Sequence, residues 1–198
     1  MALIGQQAPK FKAPAVVDGN RLIEDFTLDA FLNDKYVLLL FYPTDFALLS
    51  PGELLEVQRL LPEFEKRQTV VVACSTDSQF AHIKWLQLPE EQGGIKGVTF
   101  PLISDRTLMI SRNFDVLAGD LFVAEDGSLG FDGEPISHRA SFIIDKDGVV
   151  RYQEICDVFM SRNPAKYLDI LDALLHFEKT GESIPIGWKN GEKGVNFK

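Results

Sequence analysis

Two apolar runs of strand length, with one amphipathic segment of helix length between them, restrict this chain more than any other feature. YVLLLFY (36–42) and TVVVACS (69–75) are apolar almost without interruption. A strand covered on one face alternates; a strand without alternation is buried on both. The intervening PGELLEVQRLLPEFEKR (51–67) gathers Leu54, Leu55, Val57, Leu60, Leu61 and Phe64 on one broad face, the pattern of a helix lying on a sheet. Strand, helix and strand in that order imply parallel, doubly covered central strands. Ser50 reads as the N-cap of the helix, with Pro51 at its first position.

The remaining segments extend this unit. Ser78 to Leu86 reads as a helix, FPLISD (100–105) as a third strand and TLMISRNFDV (107–116) as a short helix. SFIID (141–145) and VVRYQEI (149–155) flank Lys146-Asp147-Gly148, a hairpin signal. PAKYLDILDALLHFEKT (164–180) carries Tyr167, Ile170, Leu171, Leu174 and Leu175 in one stripe, and Gly181 suits its C-terminal cap. Residues 118–138 read as a hairpin-like surface excursion, because the ligand spacing of a calcium loop is absent. The tail from Glu182 has no periodicity and is expected to wrap the surface. The order β-α-β-α-β-α-β-β-α, behind an N-terminal segment, predicts an α/β domain with a mixed sheet flanked by helices. A thioredoxin-like fold fits it. Residues 1–162 form its body, and 163–198 add a helix and tail to the same domain.

Composition narrows the function. At 198 residues and 45% hydrophobic, with fifteen Phe, the chain can fill one substantial core. A net charge of −9 without any basic run argues against nucleic acid. No apolar run approaches the roughly 18 residues of a membrane helix. The N-terminus lacks the pattern of a secretory signal, so the expected compartment is the cytoplasm. Three scattered histidines and two cysteines, Cys74 and Cys156, offer neither zinc-ligand spacing nor a disulfide framework. No metal or cofactor is expected. Cys74 reads as a buried small hydrophobe.

FYPTDFALLSPGEL (41–54) runs from strand end through loop to helix start, a place where nucleophiles are often held. It resembles the active-site segment of the typical two-cysteine peroxiredoxins, the alkyl hydroperoxide reductase C group. IGQQAPKFKAPAVVDG is similar to the N-terminal segment of that family. STDSQFAHIKWLQLPEEQGGIKGVTFPLISD resembles its middle section, RASFIIDKDGVVRYQEICD its late hairpin, and GESIPIGWKNGEKG its resolving segment. The resemblance implies a peroxiredoxin-type thioredoxin fold and thiol-dependent reduction of hydroperoxides. In that chemistry a thiolate at a helix N-terminus becomes a sulfenic acid, and a second cysteine resolves it as a disulfide.

By the same resemblance, Pro43 is the loop proline and Arg139 the active-site arginine, with Glu53 and Arg162 in support. The peroxidatic cysteine falls on Ser50, the loop threonine on Ala47, the threonine after the following proline on Gly52, and the resolving cysteine on Ile184. VFMSR (158–162) replaces a PVGR-like context. Changes at this many positions read as drift after the chemistry was abandoned. A serine alkoxide is negligible at neutral pH, and serine has no stable counterpart of the sulfenic acid. Nor does Ser50 have a hydrolase setting: there is no G-x-S-x-G, and His138, adjacent to Arg139, is expected to point away from it.

The resemblance further implies a homodimer through edge strands, assembling to a decamer. Phe46, Phe80 and Ala81 fall in the segments of the dimer–dimer contact, and Cys156 lies near the dimer contact, either bridging two subunits as a disulfide or, as favoured, remaining an unpaired inert thiol. Trp85, Trp188 and Phe46 read as core or subunit-contact residues. Three functions follow for such a chain. It is a catalytically silent structural, regulatory or chaperone-like oligomer, alone or co-assembled with an active peroxiredoxin; or a peroxidase using Cys74 or Cys156; or an anion-binding module in the residual pocket. The first is favoured.

Overall fold

The computed structural model describes residues 2–196. Met1 of the N-terminal segment, and Phe197 and Lys198 of the tail, lie outside the described residues. Among the described residues no helix is long and apolar enough to cross a membrane.

The two apolar runs form β3 (Tyr36–Phe41) and β4 (Thr69–Ser75), parallel and paired from Tyr36↔Thr69 to Phe41↔Cys74. β5 (Leu102–Ser104) continues the parallel part beside β4. β8 (Arg139–Ile144) lies antiparallel on the other side of β3, followed by β9 (Val150–Cys156) at the edge. The sheet gains two strands that the sequence reading left as an N-terminal segment. β1 (Ala13–Val17) runs antiparallel to β5, and β2 (Arg21–Phe26) closes the opposite edge. The order is β2-β1-β5-β4-β3-β8-β9. The β1–β2 turn places Asp18 and Gly19 at φ of 53° and 77°, the two left-handed positions of a tight hairpin turn.

Side chains of β3 alternate between two cores. Leu38 and Leu40 face α1 (Ser50–Lys66), α2 (Gln79–Gln87) and α4 (Lys166–Thr180), together with Trp85, Tyr167 and Leu171. Val37, Leu39 and Phe41 face Phe114, Phe142 and the N-terminal segment on the other side. Burying both faces of β3 explains why its sequence does not alternate. α4 thus completes the first core and is not an appendage.

Local signals set the element ends. The Ser78 hydroxyl accepts the Ala81 N–H at 3.2 Å and caps α2. α3 shortens to Met109–Asn113 because the Asp105 carboxylate takes the N–H groups of Ile110 and Ser111, at 3.1 and 2.7 Å, and starts the helix there. Gly181, at φ 70°, ends α4 with its N–H on Phe177 O. The excursion at 118–138 contains a hairpin, β6 (Asp120–Val123) and β7 (Leu129–Asp132), forming a separate two-stranded sheet. The tail folds back on itself. Ser183 and Val195 exchange backbone hydrogen bonds, and Trp188 packs on His176 of α4 at 5.0 Å between ring centroids.

Candidate active site

The C-terminal end of β3 leads into the loop 43–49 and then α1, so whatever occupies position 50 sits at a helix N-terminus over the parallel strands. Ser50 is the first residue of α1 and not its N-cap, as the sequence reading had it. The cap position is Leu49, already in a helical conformation with no side-chain capping bond. The Ser50 N–H donates to Ala47 O at 3.1 Å, which begins the helix one residue earlier. The hydroxyl is drawn elsewhere: Ser50 Oγ accepts from Arg139 Nη1 at 3.3 Å.

Four of the residues singled out in the sequence meet here. Arg139 opens β8, and its Nη1 also donates to Glu53 Oε2 at 2.7 Å while its Nε donates to Val158 O at 2.8 Å. Arg162 binds the same carboxylate from the other side. Its backbone N–H reaches Glu53 Oε1 at 2.6 Å and its Nη2 reaches Oε2 at 3.0 Å. Arg162 Nη1 is held by Ala140 O at 2.6 Å. Glu53 lies one turn into α1, so the helix carries both the hydroxyl and the anion that orients the arginine. Pro43 is buried in the preceding loop with Ala47 half-buried beyond it. Ile184 is not part of this cluster. It lies on the tail, which is bonded to His176 of α4 and to itself.

The cluster is closed and positively charged. Ser50 is 0% exposed and Arg139 2%. Two guanidinium groups face one carboxylate. Burial draws the Arg139 guanidinium below its ordinary range; Glu53 opposes this and Arg162 adds to it. A fixed cation and the first turn of a helix both favour negative charge at position 50. The arrangement is built to stabilise an anionic side chain there, and a serine hydroxyl does not supply one. Among the described residues the hydrogen-bond partner of Ser50 Oγ is Arg139, and His138 Nδ1 is buried without a hydrogen-bond partner.

The sequence reading missed the device that holds the loop. The buried Asp45 carboxylate accepts from Tyr42 OH at 2.8 Å and bonds His82 Nδ1 at 2.8 Å, while the Asp45 N–H donates to Asp77 Oδ2 at 2.6 Å. His82 Nε2 is bound in turn by Ile103 O. Asp45 is thereby tied to β3, α2 and the end of β4. Its anchoring holds the next residue, Phe46, at φ 58°, a left-handed conformation that costs a bulky residue about 1–2 kcal/mol. The Phe46 ring packs on Trp85 at 5.8 Å yet remains half exposed. The available signal was the buried pattern around Tyr42 and His82, since a polar group on a buried stretch needs a partner.

Neither thiol resembles a nucleophile. Cys74 is fully buried in β4, and burial, with Asp105 nearby, pushes it well above the ordinary thiol range. Cys156 is half-buried on β9, and burial first, then Glu154, raises it too. Its Sγ donates to Glu154 Oε1 at 3.5 Å, and the same carboxylate takes Lys166 and Tyr167 OH. Among the described residues no group of His, Cys, Asp and Glu is placed to hold a metal ion.

Comparison with known proteins agrees with this geometry. Residues 4–153 match the AhpC/TSA family. Alkyl hydroperoxide reductase C of Helicobacter pylori (strain ATCC 700392 / 26695) is 39% identical over 193 residues, covering 98% of this chain and 90% of that protein. The chloroplastic 2-Cys peroxiredoxin BAS1 of Hordeum vulgare is 36% identical over 98% of this chain and 86% of its own. The reduced 2-Cys peroxiredoxin of Plasmodium vivax superimposes with a TM-score of 0.86 at 34% identity, covering 98% of this chain and 93% of that one. The chain belongs to the AhpC/TSA family and is of the alkyl hydroperoxide reductase C and 2-Cys peroxiredoxin type.

Proposed function

We propose that this chain is a catalytically silent member of its family, a cytoplasmic oligomer with a structural, regulatory or chaperone-like role. One observation carries the reading. The group that buried Arg139 addresses at the first turn of α1 is the hydroxyl of Ser50. In the family's chemistry a thiolate attacks one peroxide oxygen, the O–O bond breaks, and the leaving oxygen departs as water or alcohol. The hydroxyl of Ser50 keeps its proton at neutral pH, so the first step is lost. With Ile184 at the resolving position, the second step has no thiol either.

What survives supports assembly. β9 ends the sheet; Gly5 and Gln6 bond its first residue, Val150, while the rest of its outer edge has no strand partner among the described residues and carries a partly exposed Ile155, suited to pair with the same strand of a second copy. Phe46, Leu48 and Phe80 expose apolar surface around the loop 43–49, suited to join dimers into a decamer, alone or with an active relative. The two other readings find less support. Both thiols are raised by burial, which opposes their use as nucleophiles. The closure over Ser50 and Arg139 opposes entry of an anion. The test is consumption of hydrogen peroxide by the purified chain with a thiol reductant in excess. The reading expects no rate above that of the reductant alone, and a protein-dependent rate abolished by alkylation would reverse it.

A further inference from the structure

The hairpin of β6 and β7 stands apart from the site and from the seven-stranded sheet. Its register sorts its side chains onto two faces. Leu121 pairs with Phe131 and Val123 with Leu129, so one face is wholly apolar. On the other, Asp120 pairs with Asp132, and the Phe122 ring lies across Gly130, where an added Cβ would meet it at 2.3 Å. The apolar face is uncovered toward its tip. Val123 is 69% exposed and Leu129 79%, and the two are a cross-strand pair. The hairpin is also strongly acidic. Asp120, Glu125, Asp126, Asp132 and Glu134 lie between 119 and 134, with no Lys or Arg. Each of its two strands pairs only with the other, leaving one backbone edge free on both among the described residues.

From this we infer that the hairpin is a docking element for an extended polypeptide segment of a partner protein that alternates apolar and cationic residues. Such a segment, added as a third strand, puts its side chains alternately on the two faces. Its apolar residues extend the Leu121–Val123–Leu129–Phe131 face, while its cations meet Asp120 and Asp132 on the other. The same hairpin of a second copy does not fit, because it brings the same five acids to the contact.

The test uses the full chain and two fluorescent synthetic peptides, one alternating lysine and valine, the other lysine and serine. The lysine–valine peptide is expected to bind at least about tenfold more tightly, the scale set by covering two exposed aliphatic side chains. Val123→Ser/Leu129→Ser should erase that difference, and exposure at both positions means the fold itself is not at stake. Asp120→Asn/Asp132→Asn should weaken both peptides and flatten their salt dependence. Equal binding of the two peptides, or no response to Val123→Ser/Leu129→Ser, overturns the inference. So does a change in oligomeric size caused by that variant without peptide, which would mean a second copy covers the face.

Discussion

Arg139 Nη1 donates to two acceptors at once, Glu53 Oε2 at 2.7 Å and Ser50 Oγ at 3.3 Å. The shorter bond is the ion pair. Glu53, shared with Arg162, holds the arginine, and the hydroxyl takes what remains of its donor capacity.

That ordering predicts unequal costs. Glu53→Ala leaves two buried guanidinium groups without their anion and should lower unfolding free energy by about 3–5 kcal/mol. Ser50→Ala removes one long hydrogen bond from an arginine that keeps Glu53 and Val158, and should cost about 1 kcal/mol or less. Urea denaturation of the two variants checks this. Equal losses would contradict the ranking.

The loop 43–49 should depend on Asp45. Asp45→Asn disturbs the bonds to Tyr42 and His82 together, for a loss of about 2 kcal/mol. It also releases Phe46 from its left-handed conformation. Limited proteolysis should then cut within 43–49 in the variant, and not in the parent chain under the same conditions.

Cys156 gives a pH dependence of known sign. Burial and Glu154 raise its pKa in the folded state. The fold therefore keeps a proton that the unfolded chain has already released, and stability from this group falls as pH climbs through the thiol range. Alkylation of the native chain, followed by intact mass, should reach half its maximal rate above the ordinary thiol pKa of about 8.5. Glu154→Gln should lower that midpoint and speed the reaction at pH near 8. Cys74, fully buried, should remain unmodified. A midpoint unmoved by Glu154→Gln would show that the carboxylate does not act on the thiol.

Much of the fold was legible in the sequence because burial leaves a direct record. Residues 36–42 and 69–75 do not alternate since both faces of β3 and β4 are covered, and Asp147-Gly148 marked the β8–β9 turn. β2 escaped notice because an edge strand has little to bury, and only Phe26 of its six residues is buried. The Asp18-Gly19 turn was the available clue. The Ser50 assignment failed for a local reason: Ala47 O closes the first turn, and the guanidinium holds the hydroxyl that was expected to cap it. Spacing alone could not join Glu53 to Arg139 and Arg162, which lie 86 and 109 residues away. The resemblance grouped them, and the ion pairs give the grouping a physical basis.

Assembly should be indifferent to oxidant. With no cysteine at positions 50 and 184, peroxide has no disulfide to form through the loop 43–49. Size-exclusion profiles before and after hydrogen peroxide should coincide. A shift on oxidation that dithiothreitol reverses would point instead to Cys156 at the β9 edge.

Arg139 and Glu53 stand at the first turn of α1, with a serine at the position of the family's thiol. Hydrogen peroxide consumption should therefore be measured for the parent chain beside Ala47→Thr/Ser50→Cys, with a thiol reductant present. A silent parent and an active double variant are expected, because Arg139 and the first turn of α1 are already placed to stabilise a thiolate. A silent double variant would mean the cluster around Glu53 no longer supports the chemistry. Peroxide consumption by the parent would mean that a thiol outside position 50 carries the chemistry.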